Sequence, residues 1–415
     1  MTEKDVLPGA GRHCGLLGKV LGHSYSPQIH SGFCAYSYSL FEVPEEGLEA
    51  FLTDGKFDGI NVTIPYKKAV LPYCAELSEA AGEIGSVNTI VRKPDGTLYG
   101  DNTDWQGFRS TIERSGVQLA GRKALVLGSG GASAAVLYVL RKLGAIPVVI
   151  SRTGDDNYSN LERHADAAVI VNTTPLGMYP NNGRQALSLT GFPKCEAVFD
   201  LIYNPARTAL MLEAERLGIP AYNGLWMLVE QARASASLFA GTQIGPEQGR
   251  KVYSSLKRQM ENIILIGMPG CGKTTIGSAI AGLTGRRLTD ADACLTERLG
   301  TSIPAFMAAG GVDAFRAEET RTLQELGKQS GLILATGGGC VTRPENYDLL
   351  HQNGTIVWLQ RPLEDLPVDG RPLSQSAGVQ TLYEQRKSLY ARFADLTVSN
   401  DAPPEDVAAR ILELI

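Results

Sequence analysis

The 415-residue chain lacks paired cysteines and the Cys/His spacings that are typical of structural zinc sites. Its seven cysteines are scattered without a CxxC pair, a pattern that favours a reducing compartment. No stretch reaches the roughly 18 apolar residues of a membrane span, and the N-terminal segment has no apolar core of signal-peptide length. We therefore expect a cytoplasmic protein without a membrane partner.

An excess of positive charge is also missing. The formal net charge is −5, which argues against a nucleic-acid partner. The chain is too long for one ordinary domain, so two or three are expected. There is no internal repeat and no Gly/Ser-rich or Pro-rich linker, so the domains should follow one another closely. The residues do not distinguish a monomer from a homodimer.

Short apolar runs alternate with helical stretches, which predicts an α/β fold with mostly parallel sheets. Candidate strands cover 15–17, 57–62, 89–92, 124–127, 147–151, 168–172, 197–200, 220–223 and 263–266, and candidate helices cover 225–239 and 246–259. We predict three domains: a substrate-binding α/β domain over 1–105, completed by returning helices over 225–259; a Rossmann dinucleotide-binding domain over 106–224; and a P-loop domain over 260–415.

One glycine-rich loop follows the apolar run 124–127 and precedes a helical stretch. It contains no lysine, and this arrangement suits a dinucleotide pyrophosphate held at a helix N-terminus. A plain Gly-rich turn is the alternative interpretation. The candidate cofactor-binding residues of the loop are Gly128, Ser129, Gly130, Gly131, Ala132 and Ser133.

A residue at the end of the next candidate strand bears on cofactor choice. Arg152 stands where NAD-binding proteins usually carry an acidic residue, and a guanidinium suits the 2′-phosphate of NADP. Asp155 and Asp156 follow closely and should weaken that attraction. We predict NADP(H) as the cofactor.

A second glycine-rich loop follows the apolar run 263–266 and ends in Gly-Lys-Thr, as P-loops do. Its backbone N–H groups would hold the phosphates of ATP, Lys273 would bridge the β- and γ-phosphates, and Thr274 would bind Mg²⁺. The candidate ATP-binding residues of the loop are Gly267, Gly270, Cys271, Gly272, Lys273, Thr274 and Thr275.

Four polar segments lie before the first glycine loop: HSYSP from His23, NVTIPYK from Asn61, SVNT from Ser86 and GDNTD from Gly100. Each follows or interrupts an apolar run, where functional loops are often found. Serine hydroxyls can bind a carboxylate, and a lysine beside an aspartate forms a proton-transfer pair. For any one segment taken alone, ordinary turn chemistry is the better explanation.

Together with SRT, NTTPLGM, DLIYNP and NGLWMLVEQA, these motifs make the chain resemble shikimate dehydrogenase from about Leu16 to Gln259. The resemblance implies that Lys67 and Asp104 are the catalytic pair. It implies that Gly224 and Met227 line the nicotinamide. It places the substrate against Ser24, Ser26, Thr63, Asn88, Asp104, Tyr203 and Gln231.

The last part of the chain offers carboxylates and cations suited to phosphoryl transfer. Asp290 and Asp292 stand at alternating positions at a strand end, so both could face one side. GMPGCGKTT, TDAD, AFRAEE, TGGGCV and GRPL make this part resemble shikimate kinase. The resemblance implies that Asp290 helps to hold Mg²⁺ and that Asp292 orients the attacking hydroxyl. It implies that Arg316, Gly338 and Arg386 bind the substrate, and that Arg371 lies on a lid and reaches the ATP phosphates.

These resemblances imply a bifunctional enzyme that reduces 3-dehydroshikimate to shikimate with NADPH and then phosphorylates shikimate with Mg²⁺ and ATP. Two alternatives stay open at this point. The redox half could act on quinate or use NAD. The chain could instead be a catalytically silent sensor of such metabolites, although both lysines and both site aspartates expected of an active enzyme are present.

Overall fold

A computed structural model of the chain describes residues 7–22, 24–366 and 378–415. The chain divides into two units, each with its own core. The first unit reaches residue 176 and also takes in 184–203 and 213–256. The second contains 177–183, 204–212 and the chain from 257 onward. None of the helices in the described ranges is long and apolar enough to cross a membrane.

The first unit begins with a six-stranded sheet in the order β2-β1-β3-β5-β6-β4. Its middle strand β5 runs antiparallel to both neighbours, whereas the other pairs are parallel. Apolar side chains from β3 and β5 fill its core. The strands are β1 (His13–Gly18), β2 (Ser37–Glu42), β3 (Gly59–Val62), β4 (Glu76–Leu77), β5 (Thr89–Arg92) and β6 (Leu98–Asp101).

A second, fully parallel sheet of the same unit has the order β11-β10-β9-β7-β8. Strand β7 pairs with both β8 and β9, so the chain leaves β7 at a topological switch point, where ligands bind in such sheets. The strands are β7 (Lys123–Leu127), β8 (Ile146–Ile150), β9 (Val169–Asn172), β10 (Ala197–Asp200) and β11 (Ala221–Tyr222).

Two long helices of the first unit, α4 and α7, pack closely against each other. Gly107 of α4 allows this approach, because a Cβ there would lie 2.5 Å from the Met227 carbonyl oxygen. The helices up to residue 260 are α1 (Ser26–Ser31), α2 (Leu48–Asp54), α3 (Glu79–Ile84), α4 (Asp104–Ser115), α5 (Gly131–Lys142), α6 (Ala209–Arg216), α7 (Leu225–Ala240) and α8 (Pro246–Met260).

The second unit contains a five-stranded parallel sheet in the order β13-β14-β12-β15-β16. Strand β12 pairs with both β14 and β15, so its end is again a switch point. Buried aliphatic side chains of β12 lie at the centre of the core. The strands are β12 (Asn262–Ile266), β13 (Leu288–Asp290), β14 (Ile333–Ala335), β15 (Gly354–Gln360) and β16 (Leu396–Ser399).

Helices connect the strands of this third sheet. The long helix α11 is interrupted at Gly311, where the backbone is not helical (φ 80°, ψ 171°). The helices are α9 (Lys273–Thr284), α10 (Ala291–Leu299), α11 (Ile303–Gly327), α12 (Glu345–His351), α13 (Val379–Phe393) and α14 (Pro404–Leu414).

The predicted α/β class with mostly parallel sheets is confirmed, and each candidate strand of the sequence analysis coincides with an observed strand to within a few residues. Strands β2, β4, β6 and β13–β16 are not among the candidate strands. Strands β2 and β4 stand at the two edges of the first sheet, where partly exposed residues give no continuous apolar run. The three proposed domain boundaries stay a prediction.

Candidate active sites

An ion pair lies where α4 begins. The Nζ of Lys67 is 2.6 Å from Oδ2 of Asp104, the first residue of α4, and the aspartate side chain is only 12% exposed. Lys67 comes from the loop after β3, so two separate elements meet here. Such a pair holds the ammonium in a fixed position from which it can donate a proton.

The second oxygen of Asp104 is fixed by Asn88, which is buried beside it. Asn88 Nδ2 donates to Asp104 Oδ1 at 2.8 Å, and Asn88 Oδ1 accepts from the Thr103 backbone N–H at 2.7 Å. Gln231 of α7 reaches the same cluster, since its Oε1 accepts from Thr103 Oγ1 at 3.4 Å. Four predicted residues are therefore brought together, and Thr103 joins them as a partner that the sequence analysis missed.

The two predicted serines lie next to each other at the start of α1. Ser24 Oγ donates to Ser26 Oγ at 3.1 Å. Between them, Tyr25 packs edge-on against Tyr203, with ring centroids 6.2 Å apart. Thr63 follows β3, four positions before Lys67. In the described residues, no hydrogen bond links the serine pair to the Lys67–Asp104 pair. His23 of the same motif lies outside the described residues.

The first glycine loop joins β7 to α5 at the switch point. Gly128 has a φ of 103°, and a Cβ there would lie 2.8 Å from Thr174, so this turn requires glycine. Gly130 is the N-cap of α5, and a Cβ on Gly130 or Gly131 would meet open space. The loop therefore leaves room beside a helix N-terminus, which fits a dinucleotide pyrophosphate. Met227 of α7 is buried near its start, and Gly224 is the N-cap of that helix.

The segment after β8 bears on the choice between NADP and NAD that the sequence left open. Arg152 is exposed directly after the strand. Asp156, which we expected to weaken its attraction for a phosphate, lies 2.9 Å from His164 Nε2 and 3.3 Å from Arg163 Nη1. Its carboxylate is thus offset by neighbouring groups other than Arg152. Asp155 is exposed.

The second glycine loop runs from β12 into α9. Gly272, the N-cap of α9, has a φ of 99° and lies against the Asn400 side chain. The Nζ of Lys273 donates to the carbonyl oxygens of Gly267 and Met268, both at 3.0 Å, so the loop curls around its own lysine. Cys271 is buried, and its carbonyl accepts from Asn400 Nδ2 at 2.7 Å. This arrangement fits a triphosphate.

Two aspartates lie beside the P-loop, although not on one strand as the alternation suggested. Asp290 ends β13 and caps α10, accepting from the backbone N–H groups of Asp292 and Ala293. Its other oxygen accepts from Thr274 Oγ1 at 2.9 Å. Asp292 sits in the first turn of α10. Both aspartates therefore lie beside the P-loop because helix α10 begins between them, and not because they alternate along one strand.

The Thr274–Asp290 pair has the chemistry of a partial Mg²⁺ site. The described residues contain no group of three or more His, Cys, Asp or Glu side chains that could hold a metal. Mg²⁺ commonly takes one or two protein oxygens and completes its shell with water and phosphate. The pair fits the ion in that manner.

A cavity of about 530 Å³ contains these groups together with the predicted substrate residues. Burial raises the pKa of Asp292, the nearby Asp290 raises it further, and Lys273 and Arg316 oppose the shift. The cavity is thus a mixed-charge pocket beside the P-loop. Among its lining residues are Lys273, Thr274, Asp290, Asp292, Arg316, Gly338 and Arg386.

Three further contacts hold the two arginines and the Gly338 carbonyl of this cavity in place. Arg316 Nη1 lies 2.7 Å from Oε2 of the buried Glu319. Arg386 Nη1 donates to the Gly338 carbonyl at 3.1 Å, and the Tyr390 hydroxyl donates to the same oxygen. Glu319 and Tyr390 were missed by the sequence analysis, although Glu319 stands one turn after Arg316. Arg371, predicted on the lid, lies outside the described residues.

Two family models match the chain. Residues 16–90 match the model described as shikimate dehydrogenase substrate binding domain. Residues 269–415 match the model described as shikimate kinase. The matched ranges contain the Lys67 side of the first site and nearly all of the second.

Relatives match the first part of the chain over nearly their full length. Shikimate dehydrogenase (NADP(+)) from Clostridium perfringens (strain SM101 / Type A) is 34% identical over 265 residues, covering 59% of this chain and 97% of the relative. A shikimate 5-dehydrogenase from Thermus thermophilus, solved with NADP(H) and shikimate, is 32% identical with a TM-score of 0.54, covering 59% and 99%. A quinate dehydrogenase from Corynebacterium glutamicum, solved with NAD, is 28% identical with a TM-score of 0.53, covering 59% and 99%.

Proposed function

The chain belongs to the shikimate dehydrogenase family and carries a shikimate kinase domain, and from this premise we propose that it performs two consecutive reactions. The first unit reduces 3-dehydroshikimate to shikimate. The second unit transfers a phosphoryl group to the 3-hydroxyl of shikimate. The product of one site is the substrate of the other, which supports both assignments together.

The Lys67–Asp104 pair is the observation that carries the first reaction. NADPH supplies a hydride when it is bound. Lys67 then donates a proton to the carbonyl oxygen at C3, so the carbonyl becomes a hydroxyl. Asp104 holds the ammonium at 2.6 Å, and Asn88 holds Asp104 in turn. Ser24 and Ser26 bind the substrate carboxylate, while Thr63, Asn88 and Gln231 bind hydroxyls.

NADPH is the proposed cofactor because Arg152 is exposed and one of the two aspartates that follow it is paired with other groups. Asp156 is engaged by Arg163 and His164, so its charge is largely offset near the 2′-phosphate position. The exposed guanidinium suits a phosphate through paired N–H donors.

The second reaction uses the cavity beside the P-loop. Bound ATP would supply the phosphoryl group and leave as ADP, and Mg²⁺ would offset the charge of the phosphates. Lys273 and Thr274 hold the phosphate side, with Asp290 behind Thr274. Asp292 orients the attacking hydroxyl and accepts its proton, and Arg316 and Arg386 bind the carboxylate of shikimate. These residues line one cavity, which supports the assignment.

The proposal is tested with purified chain, 3-dehydroshikimate, NADPH, Mg²⁺ and ATP, following NADPH loss and ADP release together. We expect ADP release only when NADPH is present, and we expect added shikimate to restore it without NADPH. ADP release from 3-dehydroshikimate alone would contradict the order of reactions.

A second candidate concerns the substrate of the first unit. Similarity to the quinate dehydrogenase solved with NAD supports activity on quinate. Comparing kcat/KM for shikimate and quinate, each with NADP and with NAD, separates the two functions. Preference for quinate with NAD would replace our first proposal for this unit.

A reducing compartment is the proposed location. All seven cysteines are free thiols, four of them buried. This usage supports a cytoplasmic enzyme.

A further inference from the structure

The first unit has a second cavity, separate from the catalytic residues. It is a groove of about 680 Å³ between α4, α7 and α8, and its lining residues include none of the predicted substrate or cofactor residues. We call it the α4–α7–α8 groove. Two of its residues are neighbours of predicted site residues in the sequence: Trp105 follows Asp104, and Trp226 precedes Met227. Its volume is in the range of small-molecule sites.

Arg114 is the central cation of this groove. Its guanidinium carbon lies 4.3 Å from the centroid of the Trp226 ring and 4.6 Å from that of Tyr253. Trp226 is itself fixed, because its Nε1 donates to Ser110 Oγ at 3.0 Å. The two rings are themselves edge-on to each other, with centroids 5.1 Å apart, so both lie on one side of the guanidinium. N–H groups that do not face the rings stay available as donors.

The other arginines of the groove are already paired. Arg109 lies 2.8 Å from Glu113, Arg233 lies 2.7 Å from Glu230, and Arg250 lies 2.6 Å from Glu247. Within the described ranges Arg114 forms no ion pair, and its contacts are the two aromatic rings. The groove thus keeps one uncompensated positive charge in a chain whose net charge is −5.

A ligand for such a site needs an anionic end and an apolar planar body. A carboxylate matches the paired N–H donors of a guanidinium. An aromatic ring matches the indole walls, because aromatic side chains attract other rings in stacked or edge-on contact. We propose that the α4–α7–α8 groove binds a small aromatic carboxylate, with its carboxylate on Arg114 and its ring against Trp105 and Trp226.

Tryptophan fluorescence provides a direct test with benzoate as the probe. The chain has three tryptophans, and two of them line the groove. We expect benzoate to change the fluorescence saturably, and Arg114→Gln to weaken its affinity by roughly tenfold or more, as for a lost charged hydrogen bond. Arg122→Gln, an exposed arginine paired with Glu196 away from the groove, is the matched control and should leave the affinity unchanged.

Three comparisons on the unmodified chain keep the test independent of variant folding. Cyclohexanecarboxylate keeps the charge but has a saturated ring in place of the aromatic one, and benzyl alcohol keeps the aromatic ring without the charge. Both should therefore bind at least tenfold more weakly. Saturating shikimate should leave benzoate affinity unchanged. Displacement of benzoate by shikimate, equal binding of cyclohexanecarboxylate, or equal affinity in Arg114→Gln would each overturn the proposal. Failure here leaves the proposed dehydrogenase and kinase activities untouched.

Discussion

At the residue level, the two sites place an aspartate in different electrostatic surroundings. Asp104 has an ammonium at 2.6 Å and an amide donor at 2.8 Å. Asp292 has no such close ion pair in the described residues and lies near a second carboxylate, and desolvation together with that carboxylate raises its pKa. Burial disfavours a charged carboxylate unless donors compensate. A carboxylate with a raised pKa is a stronger base and therefore suits a proton acceptor.

The raised pKa of Asp292 predicts an acid limb in the kinase pH profile. Because the pKa lies above the ordinary value of 3.8, the carboxylate becomes protonated at a higher pH than an ordinary aspartate. We expect kcat/KM for shikimate to fall as the pH falls through this raised value. The pKa of neighbouring Glu319 is raised too. A variant of Asp292 is therefore needed to show which of the two groups causes the acid limb.

Asp292→Asn should lower kinase activity by roughly 10²–10⁴-fold and remove its share of the acid limb. Asp406→Asn, at an exposed position of α14, is the control. An unchanged acid limb in Asp292→Asn would assign it to another group and contradict the proposed role.

Arg152 leads to a prediction about cofactor choice. Arg152→Gln removes the guanidinium proposed to bind the 2′-phosphate, so kcat/KM for NADPH should fall by roughly 10- to 100-fold, the loss expected for charged hydrogen bonds. The value for NADH should stay nearly constant, since NADH lacks that phosphate. Steady-state kinetics with both cofactors measure the ratio, and an equal loss with NADH would contradict the proposal.

At the level of secondary structure, the packing of α4 on α7 positions the dehydrogenase site. Helix α4 starts with Asp104, and α7 contributes Met227 and Gln231. Gly107 lies where the two helices meet, and a Cβ there would lie 2.5 Å from the Met227 carbonyl oxygen and 3.1 Å from the Gln231 backbone nitrogen. The absence of a side chain at Gly107 thus sets the distance between two elements that carry site residues.

Gly107→Ala should therefore destabilise the first unit and impair reduction. Its methyl group would lie 2.5 Å from a backbone oxygen, so the helices must separate, at a cost of about 1–3 kcal/mol. Gly82→Ala in α3 is the matched control, because a Cβ there meets nothing within 4 Å. This control should be neutral or stabilising by up to about 1 kcal/mol.

Thermal unfolding and the KM for shikimate measure both effects of these glycine variants. A Gly107→Ala protein as stable as the Gly82→Ala protein, with unchanged kinetics, would show that the helices can adjust at no cost. The proposed positioning role would then be wrong.

The strands differ in how well the sequence predicted them. The central strands β7, β10 and β12 are buried on both faces, so they read as continuous apolar runs. Strand β2 lies at a sheet edge with several exposed residues. The two exposed residues of β4 carry no pattern at all. Edge strands depend on the neighbour that they pair with, which a local pattern does not contain.

At the level of the whole molecule, the two chemistries belong to two units with separate cores. Lys67 and Asp104 lie in the first unit, and Lys273 and Asp292 lie in the second. The proposed residues of each reaction therefore lie within one unit. This organisation predicts that each activity can be removed alone.

We expect Lys67→Ala to lower reduction of 3-dehydroshikimate by roughly 10²–10⁴-fold and to leave phosphorylation of added shikimate intact. Lys273→Ala should lower phosphorylation by at least roughly 10²-fold and leave reduction intact. The two assays run on each purified variant, with unmodified chain as control. Loss of both activities in a folded single variant would contradict the independence of the sites.

The sequence by itself determined which residues are proposed for the chemistry: two glycine loops after apolar strands, a lysine and an aspartate that could transfer a proton, and two further aspartates near a P-loop. These features are local, because a turn, a cap or a phosphate loop is made by neighbouring residues. The alternation of apolar runs and helical stretches also determined the α/β class.

Only the tertiary structure decided which side chains meet. Asn88 reaches Gln231 across 143 positions, Asp156 turns to Arg163 and His164, and the Tyr390 hydroxyl and Arg386 share one carbonyl oxygen. Such contacts depend on how helices and sheets pack, and a single sequence carries no local signal of that packing. The same packing places Arg114 beside two aromatic rings, in a groove that no motif indicated.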